Sequence, residues 1–325
     1  MPVHFTSPSL GGHRQVFLQP GEWEFGVAYR RLTASDWFVH STVTPSARPF
    51  GQPVSFNINS LDFSLAYGVT ERLSLSLTVP TSSGTNFHGY PDSLGHGTSA
   101  TGIGDINLVG TLWLLNPATH SAGNVALGLG VKAPTGSHSV GGSWWLLSGA
   151  IPFPVHPGIQ PGDGGWGILV QAQAFRRVAG GLSAYVFGAY QLSLRDTSDT
   201  KFSPAYTHKL SVPDAYHARL GLAYAVWPRG GLSASLGIRF DGIPVHDVIG
   251  GSDGYRIPGY TEYFDPGLSL AHGKNSLTLS VPVRLRGVLL ANVDDLAGPL
   301  PQGEFPGYQG DLAKYLIFVT YARRF

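Results

Sequence analysis

Tyr315-Leu316-Ile317-Phe318-Val319-Thr320-Tyr321-Ala322-Arg323-Arg324-Phe325 closes the chain. In an extended strand, successive side chains point to opposite sides. Tyr315, Ile317, Val319, Tyr321 and Phe325 then share one face, which predicts a strand running to the last residue. The same two-residue period recurs upstream. Over residues 22–30, Trp23, Phe25, Val27 and Tyr29 alternate with Glu24, Gly26 and Ala28. Over residues 56–67, Leu61, Phe63, Leu65 and Tyr67 oppose Asp62, Ser64 and Ala66. There the apolar phase changes between Ile58 and Leu61, which predicts a bulge at Asn59-Ser60. After a tight turn at residues 68–71, Leu73, Leu75, Leu77 and Val79 alternate with Ser74, Ser76 and Thr78.

Composition says where such strands belong. Of the 325 residues, 42% are hydrophobic and 12% aromatic, but only 13% are charged. Soluble domains carry about 25% charged residues. Yet no stretch approaches the roughly 20 consecutive apolar residues of a spanning helix. A chain poor in charge and rich in amphipathic strands crosses a membrane as a closed barrel, in which neighbouring strands satisfy every backbone polar group. The 44 Gly and 24 Pro suit many turns and loops. The absence of cysteine excludes disulfides and thiolate chemistry, and a net charge of +1 gives no reason to expect nucleic acid as a partner. Residues 1–20 lack the apolar core and basic start of a signal peptide, so an exported chain of this sequence reads as a mature form.

Twelve strands can be counted. The remaining ones fall at about 105–114, 124–132, 165–175, 182–194, 214–226, 232–240, 260–270 and 276–285. Connections after the even strands are short, and most of those after the odd strands run about 15 to 30 residues, the outer-membrane pattern of short periplasmic turns and long external loops. The expected fold is all-β: a transmembrane antiparallel up-and-down β-barrel of about 12 strands, formed by residues 22–325, with both termini periplasmic. Residues 1–21 are expected to be a periplasmic segment or a small plug. Tyr29, Tyr67, Trp113, Trp166, Tyr185, Tyr190, Tyr224, Trp227, Tyr260 and Tyr315 fall near strand ends, as interfacial girdles do. Trp144-Trp145, within the long loop 135–164, either folds into the lumen or caps the mouth. Asp253 and Arg256 sit in a second candidate gate, loop 244–258.

A strand ending on Phe is similar to the signature by which bacterial outer-membrane barrels are handed to their assembly machinery, with Tyr321 and Phe325 carrying it. Arg323 departs from that signature, which usually has an apolar residue there. Four further motifs are Gly102-Ile103-Gly104-Asp105-Ile106, Val131-Lys132-Ala133-Pro134-Thr135-Gly136, Gly162-Asp163-Gly164-Gly165-Trp166-Gly167 and Ile249-Gly250-Gly251-Ser252-Asp253-Gly254-Tyr255-Arg256. In this order, from Trp23 to Phe325, the chain resembles the outer-membrane transporter family named after the MetA pathway of phenol degradation. That resemblance implies a Gram-negative, porin-like barrel for uptake of small, often hydrophobic or aromatic compounds. It brings no catalytic residues.

Opposite the apolar face, the lumen is expected to hold Glu24, Asp62, Asp105, Lys132, Gln171, Gln173, Gln191, Arg195, His217, Arg219, Arg239, Asp241 and Arg284. Two readings follow: an ion-pair network that props the barrel, or a polar channel that selects a small solute. Gly128, Gly130, Gly221 and Gly237 would make room inside for a solute or for a long neighbouring side chain. A closed barrel presenting its loops to a partner is the structural alternative. An enzyme would need a pair such as His246 with Asp247 or His217 with Asp214, and no nucleophile elbow is present. Asp253 and Asp294-Asp295 offer oxygen ligands for Ca²⁺ without calcium-loop spacing. The expected partners are outer-membrane lipids, the assembly machinery and a small solute, with no cofactor or metal.

Overall fold

The computed structural model describes residues 17–206, 208–298 and 306–325. Seventeen strands follow one another: β1 (Trp23–Val39), β2 (Thr42–Val43), β3 (Ser55–Gly68), β4 (Leu73–Gly89), β5 (Gly95–Ile103), β6 (Ile106–Trp113), β7 (Gly123–Ala133), β8 (Gly141–Leu146), β9 (Gly149–Pro154), β10 (Gly167–Ala179), β11 (Leu182–Ser193), β12 (Ala215–Trp227), β13 (Leu232–Ile243), β14 (Gly259–His272), β15 (Asn275–Ser280), β16 (Val283–Leu289) and β17 (Gln309–Arg324). The one described α-helix is α1 (Val293–Ala297). All but the β8–β9 hairpin and the short β2 make up the wall of one antiparallel barrel. Counting β5 with β6 and β15 with β16 as single broken staves, the wall has twelve staves. It closes where β17 pairs with β1, from Glu24 opposite Arg324 to Val39 opposite Gln309.

Both stave breaks face a proline. Pro80 on β4 lies beside the Gly104-Asp105 step, and Pro266 on β14 lies beside Val281-Pro282. A proline supplies no N–H to the ladder, so the facing strand is interrupted there. The ladder is partly repaired: Gly104 N–H reaches the Pro80 carbonyl at 2.7 Å, and Val281 N–H reaches that of Pro266 at 3.1 Å.

The outer surface carries an apolar belt. Leu75, Leu77, Leu127, Leu129, Val131, Leu220, Leu222 and Leu268 are all exposed, Leu129 by 66%. A surface of that kind is covered by lipid acyl chains. The short turns and both described chain ends lie at one rim; the long loops rise from the other.

The bulge expected at Asn59-Ser60 does not form. Pairing of β3 with β1 and β4 runs unbroken through those residues. What changes is which side of the wall is apolar. Leu61, Phe63 and Leu65 face outward, while Ser60 and Asp62 are buried inside; two residues further up, Ile58 and Phe56 point inward and Asn59 and Asn57 outward. β1 makes the same inversion. Above buried Arg30, Leu32 and Ala34 face in, opposite Ile58 and Phe56 in register. The strands therefore continue past the bilayer with reversed polarity. For that reason β1 and β4 reach Val39 and Gly89, well beyond the expected ends at residues 30 and 79.

Candidate functional site

At mid-height the inner wall carries charged side chains that pair within and between neighbouring staves. On β13, Arg239 holds Asp241 with two hydrogen bonds, Nε to Oδ2 at 2.7 Å and Nη2 to Oδ1 at 3.0 Å. His217 on β12 meets the same carboxylate through Nδ1 at 2.7 Å. Arg219 pairs with buried Asp265 at 2.5 Å, and Ser280 donates to the other oxygen of that carboxylate. Arg30 reaches Ser60 at 3.4 Å, near Asp62. Three arginines thus meet three aspartates, so the layer is balanced in charge. Lower down, Glu24 takes Arg324 Nε at 2.8 Å.

Above this floor the inverted strands enclose a cavity of about 360 Å³. Leu32, Ala34, Phe56, Ile58, Leu316 and Phe318 line it from β1, β3 and β17, with Arg30, Arg239 and Asp241 beneath. Arg239 lies over the Phe318 ring at 4.6 Å, which joins floor to wall. At the mouth, His88 stacks on Tyr90 at 4.1 Å, and Tyr90 meets Trp144 edge-on at 5.0 Å. His156 packs against Phe56 and Phe202. Burial holds both imidazoles neutral, with His88 pushed down to about 4 and His156 well below its ordinary value.

The loop carrying Trp144 folds in two parts. Its hairpin, β8 with β9, stands at the rim, where Trp145 stacks on His96 at 4.3 Å. Its return, residues 155–164, enters the lumen. Ile159 is 1% exposed and lies against Gly84, where even a Cβ would come within 2.9 Å of it.

A buried knot pins this return. Lys132 Nζ donates to Asp105 Oδ2 at 3.0 Å and to Asp163 Oδ1. Asp105 also accepts the Gly136 and Asp163 N–H groups at 3.0 and 3.2 Å. Gly136 and Gly162 touch backbone to backbone: a Cβ on Gly162 would lie 2.5 Å from the Gly136 carbonyl oxygen. The first three glycine-rich motifs therefore meet at one point, although up to 58 residues separate their bonded groups. The fourth motif builds a second knot, where Arg256 clasps Asp247 through both nitrogens at 2.7 and 2.6 Å.

The other end of the lumen is occupied too. Phe17, 4% exposed, packs on Trp113 at 4.8 Å and on Phe175 at 5.9 Å. Residues 1–16, the rest of the expected segment or plug, lie outside the described residues.

Most of the expected lumen residues face inward, and a few positions differ. Glu24, Asp62, Asp105, Lys132, Gln171, Gln173, Gln191, His217, Arg219, Arg239 and Asp241 lie on the inward face. Arg195 does not line the lumen: β11 ends at Ser193, and Arg195 holds the loops together through the Gly164 and Thr197 carbonyls at 2.9 and 2.8 Å. Arg284 bridges Asp36 and the Leu312 carbonyl beside the cavity. Trp144 lines the cavity, whereas Asp253 points to solvent. Trp113 and Tyr185 are not girdle residues; both are buried inside the barrel. Gly221 and Gly237 leave room for the Tyr185 hydroxyl, Gly128 for Gln171 and Gly130 for Val109. Tyr321 and Phe325 face outward, and the Phe325 N–H caps Trp23 at 2.9 Å. His217 pairs with Asp241 rather than Asp214, and Asp247 with Arg256 rather than His246. Asp294 meets His208, while Asp295 caps α1 through the Asn292 N–H. Among the described residues no cluster of three metal-ligating side chains occurs.

An outer membrane channel from Pseudomonas putida F1 is similar over 99% of this chain and 100% of its own, with a TM-score of 0.64 and 16% identity. The fold is that of an outer-membrane β-barrel. The β domain of the Bordetella autotransporter BrkA is similar over 94% of this chain and 100% of its own, at a TM-score of 0.50 and 10% identity. A channel and an autotransporter domain thus share the architecture, so function has to be argued from the lumen. No protein-family model matches the chain, and no curated protein does.

Proposed function

We propose that this chain is an outer-membrane channel for passive or facilitated diffusion of a small, apolar or aromatic solute. The cavity of about 360 Å³ inside the outer lumen carries the reading. A barrel that served only as a post would gain stability by filling that volume, because voids forfeit packing energy. Its apolar walls and aromatic mouth suit a solute with little hydration to lose. The balanced floor gives an ion of either sign no net attraction.

Both termini are assigned to the periplasmic side, because the short turns share their rim. The knotted loop return and Phe17 then act as outer and inner stoppers, which a passing solute displaces. Lipid covers the apolar belt, and the C-terminal strand is the part presented to the assembly machinery. No enzymatic role is assigned. The test is conductance of the refolded barrel in planar lipid bilayers, after a heat-dependent gel shift has shown it folded. Single-channel steps that added naphthalene interrupts are expected. Silent bilayers, even after Phe17→Ala and Lys132→Met have removed both stoppers, would move the weight to the closed structural barrel.

A further inference from the structure

On the outside of the barrel, the edge of the apolar belt nearest the long loops carries a run of cations. On β1, Val27 and Tyr29 face outward, and the next outward residue is Arg31. On β17, Ile317 and Tyr315 face outward and Lys314 follows them. On β16, Val283 and Leu285 are exposed and Arg286 follows. Each cation is the first charged side chain beyond the last apolar or aromatic one on its own stave. All three therefore stand at one depth whatever the strand tilt, because each marks where its stave leaves hydrocarbon. The staves are neighbours: β1 pairs with β17, and β17 with β16. At strand spacings of about 4.8 Å, they span roughly 10 Å of the perimeter.

The protein does not answer these charges. Arg31, Lys314 and Arg286 are exposed, and among the described residues none of their side chains makes a hydrogen bond or an ion pair. Arg284, on the inner side of the same β16, is by contrast tied to Asp36 and to the Leu312 carbonyl. Glu262 on β14 is the register partner of Arg286 but forms no ion pair with it, so three positive charges stand beside one negative. The outward turn of Lys314 has a local cause. Pairing of β1 with β17 shifts register between Thr33 and Asp36, and Lys314 is the extra residue opposite that shift. Among the described residues no other strand of the wall carries an outward Lys or Arg at this edge; Lys132, Arg219 and Arg239 all point inward. The cations are gathered into one sector.

Cations at the rim of a lipid belt, beside Tyr29 and Tyr315, stand at headgroup depth. Each Lys or Arg near an anionic membrane surface strengthens binding by about fivefold. Three in one sector suit a headgroup with more than one phosphate, and the outer leaflet of a Gram-negative cell supplies such a lipid. We infer that the external edge of β16, β17 and β1 docks the lipid A of that leaflet, whose sugar headgroup carries two phosphates, with Arg31, Lys314 and Arg286 on those phosphates. Its acyl chains lie along Val27, Ile317 and Leu285 below. The inference rests on the orientation proposed above, with both termini periplasmic, and not on the passage of a solute.

The test is native mass spectrometry of the whole folded chain with lipid A or phosphatidylglycerol added at equal concentration. Wild type is expected to hold one lipid A about tenfold more tightly than phosphatidylglycerol. Arg31→Gln, Lys314→Gln and Arg286→Gln together are expected to bring the two lipids within about twofold of each other. Lys314→Gln alone, the second variant should the triple one fail to fold, is expected to cost lipid A about fivefold. Arg177→Gln, Arg229→Gln and Lys274→Gln remove the same charge from the opposite rim and should leave the preference intact. Equal retention of the two lipids by wild type overturns the site, as does a preference that survives the first triple variant or is lost equally in the opposite-rim variant. Orientation is read separately by labelling Leu147→Cys in intact cells, since Leu147 is exposed at the β8–β9 turn and the chain has no cysteine of its own. If that thiol is shielded, the orientation fails and the inference with it; if it is labelled while lipid A is not preferred, the site alone fails. A barrel that prefers lipid A but stays silent in bilayers fails as a channel and keeps the site.

Discussion

Replacing Lys132 by Met keeps a chain of similar length and removes the cation that both carboxylates of the knot share beneath the loop return. Lys132 is 4% exposed and serves both Asp105 and Asp163. Without it, two buried carboxylates face each other with only backbone N–H groups for support: Gly136 and Asp163 for Asp105, and Gly165 for Asp163. Removing one partner of a buried ion pair costs about 3–5 kcal/mol. Asp105 sits in the wall and cannot leave, whereas Asp163 sits on the loop and can. The cost therefore appears as loop release and not as loss of the barrel. Even 3 kcal/mol shifts that opening equilibrium by roughly two decades. Hydrogen exchange in residues 155–164 should quicken accordingly, and single-channel conductance should rise as Ile159 leaves the lumen. Adding Asp163→Asn removes the second charge and should restore part of the protection. A Lys132→Met barrel that shifts on heating like wild type, yet exchanges and conducts identically, would refute the knot as a clamp.

The mouth should loosen in acid. His88 binds its proton only near pH 4 when folded but near 6.5 when unfolded, so its stabilising effect is present above 6.5 and is lost as pH falls towards 4. About 3 kcal/mol is at stake for so buried a ring, and a melting series across that window should show it, with His88→Phe flattening the slope. Asp311 has the opposite sign. Burial pushes its carboxyl up to about 7, so folding is penalised increasingly as pH rises from about 4 to 7. Asp311→Asn should accordingly raise stability at pH 8 by about 2–4 kcal/mol and change little below pH 4, as read by denaturant midpoints. Phe17→Ala removes the ring between Trp113 and Phe175 and should increase conductance in bilayers without altering the heat shift of the barrel. Unchanged conductance would mean that Phe17 does not obstruct the lumen.

Much of the barrel was legible because lipid and lumen impose a two-residue period. β17 could be read to its last residue, and Leu73 to Val79 gave the lower part of β4. The upper strands were opaque for a physical reason. Past the bilayer the outside becomes polar and the inside apolar, so Ile58 looked out of phase with Leu61 when it was in phase with a different solvent. That inversion is the signal of the cavity, and a sequence could yield it again. The knot was half-visible: the glycine-rich motifs stood out, but nothing local says that Asp105, Lys132 and Asp163 converge. Arg195 misled because a strand's end has no signature when the loop beyond it keeps alternating. Trp113 and Tyr185 misled because an aromatic near a strand end fits a lipid girdle or a packed lumen equally well.

The channel reading is tested most directly by uptake across a real outer membrane, whose lipopolysaccharide leaflet slows apolar compounds that phospholipid would pass. Initial uptake of labelled naphthalene is measured in Gram-negative cells without the protein, with wild type, and with the cavity filled by Ala34→Phe and Ala313→Phe, at matched amounts of folded barrel. Several-fold faster uptake with wild type, falling to background in the filled barrel, is the predicted result. Equal rates with and without the protein, or a filled barrel as fast as wild type, would contradict it.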